Sequence, residues 1–160
     1  MSFHMRVRAG ALIIQNDSIL LIEFHDKNGL HYNLPAGGTE QGETVKEAVK
    51  REAKEEASID VEVGSLAFVY EYAPHLNNNK YGETHSLGLM FECNIKEGCI
   101  PRMPEKPDPN QTGVKWIPLT DLDKVILYPN IREHILDYVE NKRNVEFLEE
   151  HLLEDYLIEK

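Results

Sequence analysis

The chain has 160 residues, of which 41% are hydrophobic and 28% charged, a composition typical of one globular domain and unlike that of a disordered segment. Its formal net charge of −11 argues against a nucleic-acid-binding or anionic-membrane-binding surface, because both need basic patches. An acidic chain that handles anionic phosphates would need metal cations to mediate.

The amino-terminal region shows no targeting segment. Only a short apolar run, from Ala11 to Ile14, precedes the return of polar residues. A signal peptide needs roughly 7–15 apolar residues and a membrane-spanning helix about 20. We therefore expect a cytoplasmic protein without a membrane partner. Cys93 and Cys99 are the only cysteines, and neither lies in a CxxC or histidine-rich pattern, so we expect reduced thiols.

Strand-like patterns alternate with turn signals along the chain. The patterns at residues 6–14 and 19–24 flank a turn at residues 15–18 and predict a hairpin. A polar, turn-rich loop over residues 73–84 follows the predicted strand Val61–Tyr72 and is a candidate for ligand contacts. The predicted strands are residues 6–14, 19–24, 31–34, Val61–Tyr72, Ser86–Ile95 and 114–117.

Helical patterns occur after residue 43 and in the last quarter of the chain. A short helix is predicted at Leu119–Lys124, a longer one at 130–141 and an acidic amphipathic one at 145–158. The last helix would pack on the domain or form a homodimer contact. The sum is an α+β domain with a mixed sheet, divided into a main domain over residues 1–142 and the acidic helical segment over 143–160.

The central helix carries an unusual arrangement of charge. Thr44 followed by Glu47 is a capping box, which predicts that the helix begins at Thr44. Helical spacing places Glu52, Glu55 and Glu56 on the side of the apolar residues, whereas the lysines take the opposite side. Three carboxylates at a core-facing edge repel one another and are costly to desolvate. A solvated face does not explain that register, but a hard divalent cation, Mg²⁺ or Mn²⁺, does.

The same stretch resembles the Nudix box, G-x5-E-x7-R-E-U-x-E-E-x-G-U, where U is a bulky aliphatic residue. The match runs from Gly37 through Glu43 to the segment Arg51-Glu52-Ala53-Lys54-Glu55-Glu56-Ala57-Ser58-Ile59. Every charged position agrees. Ala53 is smaller than usual, and Ser58 stands where the pattern has glycine.

The resemblance implies a Nudix-type α/β/α sandwich and the hydrolysis of a diphosphate bond in a nucleoside diphosphate linked to another moiety. By position, Glu52, Glu55 and Glu56 would be metal ligands, with one of them acting as the base instead, and the backbone carbonyl of Ala36 would be a further ligand. Arg51 and Glu43 would orient the carboxylates. Many relatives have an extra carboxylate at the position of Asn110, for which Asp108 is the nearest acid here.

The substrate is less well defined by the sequence. The segment from Leu34 to Gly38 and the later Pro74 are similar to features of ADP-ribose pyrophosphatases. Gly37 and Gly38 are candidates to approach a phosphate, and Phe24, Tyr70 and Tyr72 to stack a base, although strand aromatics also fit a core.

Three other functions remain open. They are a nucleoside triphosphate or dinucleotide pyrophosphohydrolase, a Nudix-fold nucleotide sensor without catalysis, and a structural Ca²⁺-binding domain. The last is disfavoured because no loop of alternating acids is present.

Overall fold

A computed structural model describes residues 3–142 and 145–156 of the chain. The helices are α1 (Val45–Ala57) and α2 (Arg132–Asn141), and short 3-10 helices cover Pro74–Leu76, Leu119–Lys124 and Glu150–Leu152. The strands are β1 (Arg6–Leu12), β2 (Ile14–Gln15), β3 (Ser18–Asp26), β4 (Gly29–Asn33), β5 (Ala36–Gly38), β6 (Val61–Tyr72), β7 (Ser86–Ile95), β8 (Gln111–Pro118) and β9 (Glu146–Glu149).

The strands form two sheets. One has the order β5-β1-β7-β6-β9 and is mixed, because β1 runs parallel to β7 and β9 parallel to β6, whereas the β5–β1 and β6–β7 pairs are antiparallel. In the other, β3 pairs antiparallel with β2, β4 and β8. The predicted mixed sheet is therefore confirmed. The predicted turn between β2 and β3 is also present, with Asn16 and Asp17 at positive φ.

Each helix covers its own apolar cluster, which gives the layered sandwich that was predicted. The cluster under α1 contains Ala48, Val49 and Ala53 together with residues of β1 and β3. The cluster under α2 contains Ile135 and Tyr138 with a second set of strand residues. Among the described residues, no helix is long and apolar enough to cross a membrane.

Helix α1 begins and ends as its sequence predicts. The Thr44 hydroxyl accepts a hydrogen bond from the Glu47 backbone N–H at 3.1 Å, and the Glu47 side chain accepts one from the Thr44 N–H, which completes the capping box. At the other end Ser58 adopts the left-handed conformation, with φ 60°. The helix therefore has fixed ends, and the side chains between them have a fixed register.

The amphipathic helix predicted over 145–158 is wrong where the structure describes that segment. Residues 146–149 form β9 and the next three a 3-10 helix, while residues 143–144 and 157–160 lie outside the described part of the chain. Backbone pairing with the open edge of β6 replaces the helical hydrogen bonds, and it buries Leu148. The division at residue 142 stays a prediction.

Candidate active site

Two of the three clustered glutamates of α1 are buried. Glu52 and Glu56 are 8% and 4% exposed, as their predicted core-facing register requires. Glu55 differs, because its side chain is 57% exposed and its Oε2 lies 3.2 Å from Arg51 Nη1. The carboxylate cluster therefore has two buried members and one at the solvent edge.

Arg51 links α1 to the loop before it. Its guanidinium donates to both oxygens of Glu43, at 3.0 and 2.8 Å, to Glu52 Oε1 at 2.8 Å and to the Gly38 carbonyl at 2.9 Å. These bonds, first those to Glu43 and then those to Glu52, raise the pKa of Arg51 against the opposing effect of burial. One cation thus fixes the loop, the helix and one buried carboxylate. The orienting role that the box resemblance implies for Arg51 and Glu43 stays a prediction.

Burial makes the second carboxylate basic. Glu56 Oε1 accepts a hydrogen bond from the Ala36 backbone N–H at 2.8 Å. Desolvation nevertheless raises the pKa of Glu56 to about 8, and the negative charges of Glu52 and Asp108 act in the same direction. Burial likewise raises the pKa of Glu52, although the bond from Arg51 opposes the shift. Carboxyl groups with raised pKa values can accept a proton near neutral pH, as general acid–base catalysis requires.

The backbone of β5 lies directly against these carboxylates. A Cβ atom built on Gly37 would come within 2.1 Å of Glu52 Oε1 and 2.3 Å of its Cδ, so no side chain fits there while Glu52 keeps its position. Only glycine allows the backbone to approach a carboxylate this closely.

The donor set suits a hard divalent cation. Two carboxylates, a third beside them and the predicted Ala36 carbonyl supply oxygen atoms only, which favour Mg²⁺ or Mn²⁺ over softer metals. Among the described side chains, no three acidic, histidine or cysteine groups converge on one point, and Arg51 contacts two of the glutamates.

A cleft with cationic and aromatic walls shares Arg8 with the surroundings of the cluster. Its volume is about 320 Å³, and its lining includes Arg6, Arg8, Tyr70, Tyr81 and Tyr128. An adjoining pocket shares Arg8, Tyr70 and Tyr128 with the cleft and reaches Ala36. The adjoining pocket therefore reaches the residue whose N–H binds Glu56.

Arg8 stands between the cleft and the acidic cluster. Its Nε is buried without a hydrogen-bond partner among the described residues. Burial, followed by the charge of Arg6, lowers the pKa of Arg8, while Glu56 and Glu52 act in the opposite direction. A buried donor without a partner, beside a second arginine, is suited to an anionic ligand.

The predicted substrate residues have different positions. Tyr72 lines the cleft, and its hydroxyl donates to the Gly82 carbonyl at 2.7 Å and accepts from the Tyr81 N–H at 2.9 Å, so it also holds the loop over residues 77–82. Gly37 faces Glu52, and Gly38 lies so close to Arg6 that a Cβ would come within 2.4 Å of its Nη2. Phe24 stacks on His31 at 5.8 Å, partly buried, and is not among the described residues that line the cleft.

Gln111 was not predicted from the sequence to belong to the site. Its side chain is buried, and its Nε2 donates to the Glu56 backbone carbonyl at 2.8 Å, which ties the start of β8 to the end of α1. Its backbone N–H bonds to the Asp108 carbonyl at 3.0 Å, so the turn over 108–111 is fixed beside the glutamates. Asp108, rather than Asn110, is the acid whose charge acts on Glu52 and Glu56.

Comparison with known proteins identifies the family. A family model for the NUDIX domain matches residues 4–139 of the chain. The chain belongs to the Nudix family. The Nudix box predicted between Gly37 and Ile59 therefore occupies β5, the loop after it and α1, where the carboxylate cluster lies.

Individual proteins and solved structures resemble the chain over different lengths. The Caenorhabditis elegans protein named "Putative nudix hydrolase 1" is 32% identical in an alignment of 127 positions that covers 71% of this chain but only 29% of that protein. A Nudix hydrolase of Nitrosomonas europaea has a similar fold, with a TM-score of 0.72 and 19% identity over 93% of this chain and 81% of its own. A Streptococcus suis ADP-ribose pyrophosphatase has a TM-score of 0.65 and 25% identity, with 90% and 99% covered.

Proposed function

We propose that this Nudix protein is a metal-dependent hydrolase that cleaves the diphosphate bond of a nucleoside diphosphate linked to another moiety. The observation that carries the proposal is that Arg8 interacts electrostatically with the two buried glutamates, Glu52 and Glu56, and also lines a cleft with a second arginine and several tyrosines. Carboxylates suit metal ions, arginines suit phosphate, and phenol rings suit a planar base. A nucleoside diphosphate derivative contains partners for all three.

The cation would be held by the carboxylates of Glu52, Glu55 and Glu56 and by the Ala36 carbonyl oxygen. When bound, it would neutralise the negative charge of the diphosphate, which repels a nucleophile. It would also lower the pKa of a water molecule, which is otherwise a weak nucleophile. We favour Mg²⁺ over Mn²⁺ because Mg²⁺ is usually bound by carboxylate oxygens together with substrate phosphates.

Groups of the protein would orient the carboxylates, accept a proton and bind the substrate phosphates. Arg51 holds Glu52 in place, and the Ala36 N–H holds Glu56. One of these two buried carboxylates would accept the proton of the attacking water, since burial raises the pKa of both. Arg8 would bind the substrate phosphates from the cleft side. Water adds across the P–O–P bond, and two phosphate monoesters leave.

ADP-ribose or a nucleotide sugar is the favoured substrate class. The cleft volume suits a nucleotide-sized ligand, and the likeness to a Streptococcus suis protein named as an ADP-ribose pyrophosphatase extends over 90% of this chain. The segment from Leu34 to Gly38 adds the sequence similarity noted above.

A product screen by ion-exchange chromatography tests the proposal. Purified protein is incubated with Mg²⁺ or Mn²⁺ and with ADP-ribose, nucleotide sugars, dinucleotides or nucleoside triphosphates, and the nucleoside monophosphate that is formed is then measured directly. We expect turnover of a nucleoside diphosphate derivative and no turnover after exhaustive chelation. Turnover of nucleoside triphosphates alone would indicate a triphosphate pyrophosphohydrolase instead. Nucleotide binding without turnover would indicate a sensor, and turnover in the chelated protein would contradict the metal-dependent mechanism.

A further inference from the structure

A segment beyond the family match is built onto the wall of the cleft. The NUDIX match ends at residue 139, whereas residues 145–156, here called the carboxy-terminal strap, continue past it. The β9 part of the strap pairs with β6, with Leu148 opposite Tyr70. Because Tyr70 lines the cleft, the strap is attached to a strand that forms the cleft wall.

Tyr156 connects the strap to two further wall residues. Its hydroxyl donates to the Leu127 carbonyl at 2.6 Å, and its ring lies edge-on to that of Tyr128 with centroids 5.1 Å apart. The Tyr128 ring lies 5.8 Å from that of Tyr81. Tyr128 and Tyr81 both line the cleft, and Tyr81 remains 39% exposed. The three rings therefore form a continuous row from the strap to the cleft.

Lys80 also contacts both the strap and the tyrosines of the cleft wall. Lys80 Nζ lies 5.2 Å from the ring centroids of both Tyr81 and Tyr156, and 3.7 Å from Asp155 Oδ1. Cation–π contacts of this length are attractive. The loop that carries Tyr81 is thus held to the strap by its neighbouring residue.

The strap also places a buried carboxylate behind the wall. Glu150 is 5% exposed, and its Oε2 has no hydrogen-bond partner among the described residues. Burial raises its pKa, which the charge of Lys80 and the phenol groups of Tyr81 and Tyr70 oppose. Burying a carboxylate is costly, and the groups that compensate here are two phenols of the cleft wall and the lysine beside them.

We propose that the carboxy-terminal strap determines substrate affinity by positioning Tyr81 and Tyr128 to bind the planar base of the substrate. Tyr156 and Glu150 are positioning residues, since they act through the two wall tyrosines. The inference rests on the proposed function, because it assumes that the cleft binds a nucleoside diphosphate derivative.

Tyr156→Ala tests the inference against Leu152→Ala, a control in the same strap whose side chain is 70% exposed. KM and kcat are measured for the nucleoside substrate found in the screen and for the same compound without its base, which for ADP-ribose is diribosyl diphosphate. Loss of ordered aromatic contact should raise KM for the nucleoside substrate roughly 3- to 10-fold. The kcat, and the KM for the compound without a base, should stay within about twofold of wild type, since neither depends on the aromatic wall. Leu152→Ala should change none of these values.

Other outcomes overturn the inference. A folded Tyr156→Ala variant with wild-type KM, or with KM raised equally for both substrates, would show that the strap is only structural. Should Tyr156→Ala fail to fold, Tyr81→Leu replaces a partly exposed ring and should raise the same KM; an unchanged KM would again refute the inference. A wild-type protein that neither hydrolyses nor binds any nucleotide would refute the proposed function, and the inference with it. Wild-type turnover beside unaffected variants would refute the inference alone.

Discussion

The contact between Gly37 and Glu52 makes Gly37→Ala a sharp test of the site. The glycine has a backbone conformation open to other residues, so the substitution strains no φ angle. Its new Cβ would lie 2.1 Å from Glu52 Oε1, whereas ordinary contact begins at 3.4 Å, so the carboxylate must retreat by a little over 1 Å. A misplacement of about 1 Å in a catalytic group can reduce turnover about 10²-fold. The obstructing atoms are the end of a flexible side chain, so the free energy of unfolding should change by no more than about 1 kcal/mol.

Gly98→Ala is the matched control, and we expect it to lower stability while leaving turnover unchanged. Gly98 has φ +87° and nothing within 4 Å of a built Cβ, so alanine there meets strain without a clash. The cost of about 1 kcal/mol should lower the melting temperature by about 2–4 °C while turnover stays at the wild-type rate. The assay is steady-state kcat on the substrate found in the screen, together with thermal melts of both variants.

A double variant decides whether the displaced carboxylate is the cause. In a Glu52→Gln background the group that Gly37→Ala displaces is already disabled, so the added substitution should reduce turnover little further. Gly37→Ala with turnover within about threefold of wild type would refute the reasoning, because the loop would then have room that the structure does not show.

The remaining predictions concern α1. Glu56→Gln should reduce turnover about 10²-fold or more with the fold intact, whereas Lys54→Gln on the outward face should leave the rate unchanged; near-wild-type rates for Glu56→Gln would place the site elsewhere. In the metal-free protein the pKa of Glu56, about 8 against an ordinary 4.5, means that protonation favours the folded state. That stabilisation is complete below about pH 4.5 and is lost as pH rises through about 8. Thermal melts over this pH range should therefore show that the stability of the wild type falls more than that of Glu56→Gln. Parallel stability curves for the two proteins would contradict the raised pKa. Ser58→Gly should leave turnover unchanged and should preserve stability or raise it by up to about 1 kcal/mol, since Ser58 is left-handed at φ 60°; a clear loss in thermal melts would contradict this.

The parts of the site that sequence analysis predicted depend on local signals. Thr44 and Glu47 fix the start of α1 within one turn, and from that start the spacing of Glu52 and Glu56 determines which way they face. Glu55 projects on the same side of the helix as Glu52 and Glu56, but it lies at the edge of that side, where its side chain is exposed and contacts Arg51. Helical periodicity indicates the side of the helix on which a side chain projects but not how deeply it is buried, so the exposure of Glu55 could not be predicted.

The parts that were missed depend on contacts between distant segments. Arg8 and Tyr128 both line the cleft although Arg8 belongs to β1 and Tyr128 to the loop before α2, which is hydrogen-bonded to Tyr32 of β4. No local sequence pattern indicates that these two residues lie close together. Gln111 gains its importance from a single bond to the end of α1. The residues of β9 have an apolar spacing that also fits a helix, and the deciding factor is an unpaired edge of β6. Tertiary context overrides local preference in such cases.

The position of β9 also bears on how copies of the molecule behave toward one another. Its four residues cover the backbone groups of β6 over residues 68–71, and an uncovered strand edge of that length is a template on which a second chain can pair. The outer strand carries Glu146 and Glu149, and negative charge on an outermost strand discourages such pairing. A chain shortened to residue 142 should therefore show a tendency to aggregate that the longer chain lacks, and light scattering of the two at equal concentration would reveal it.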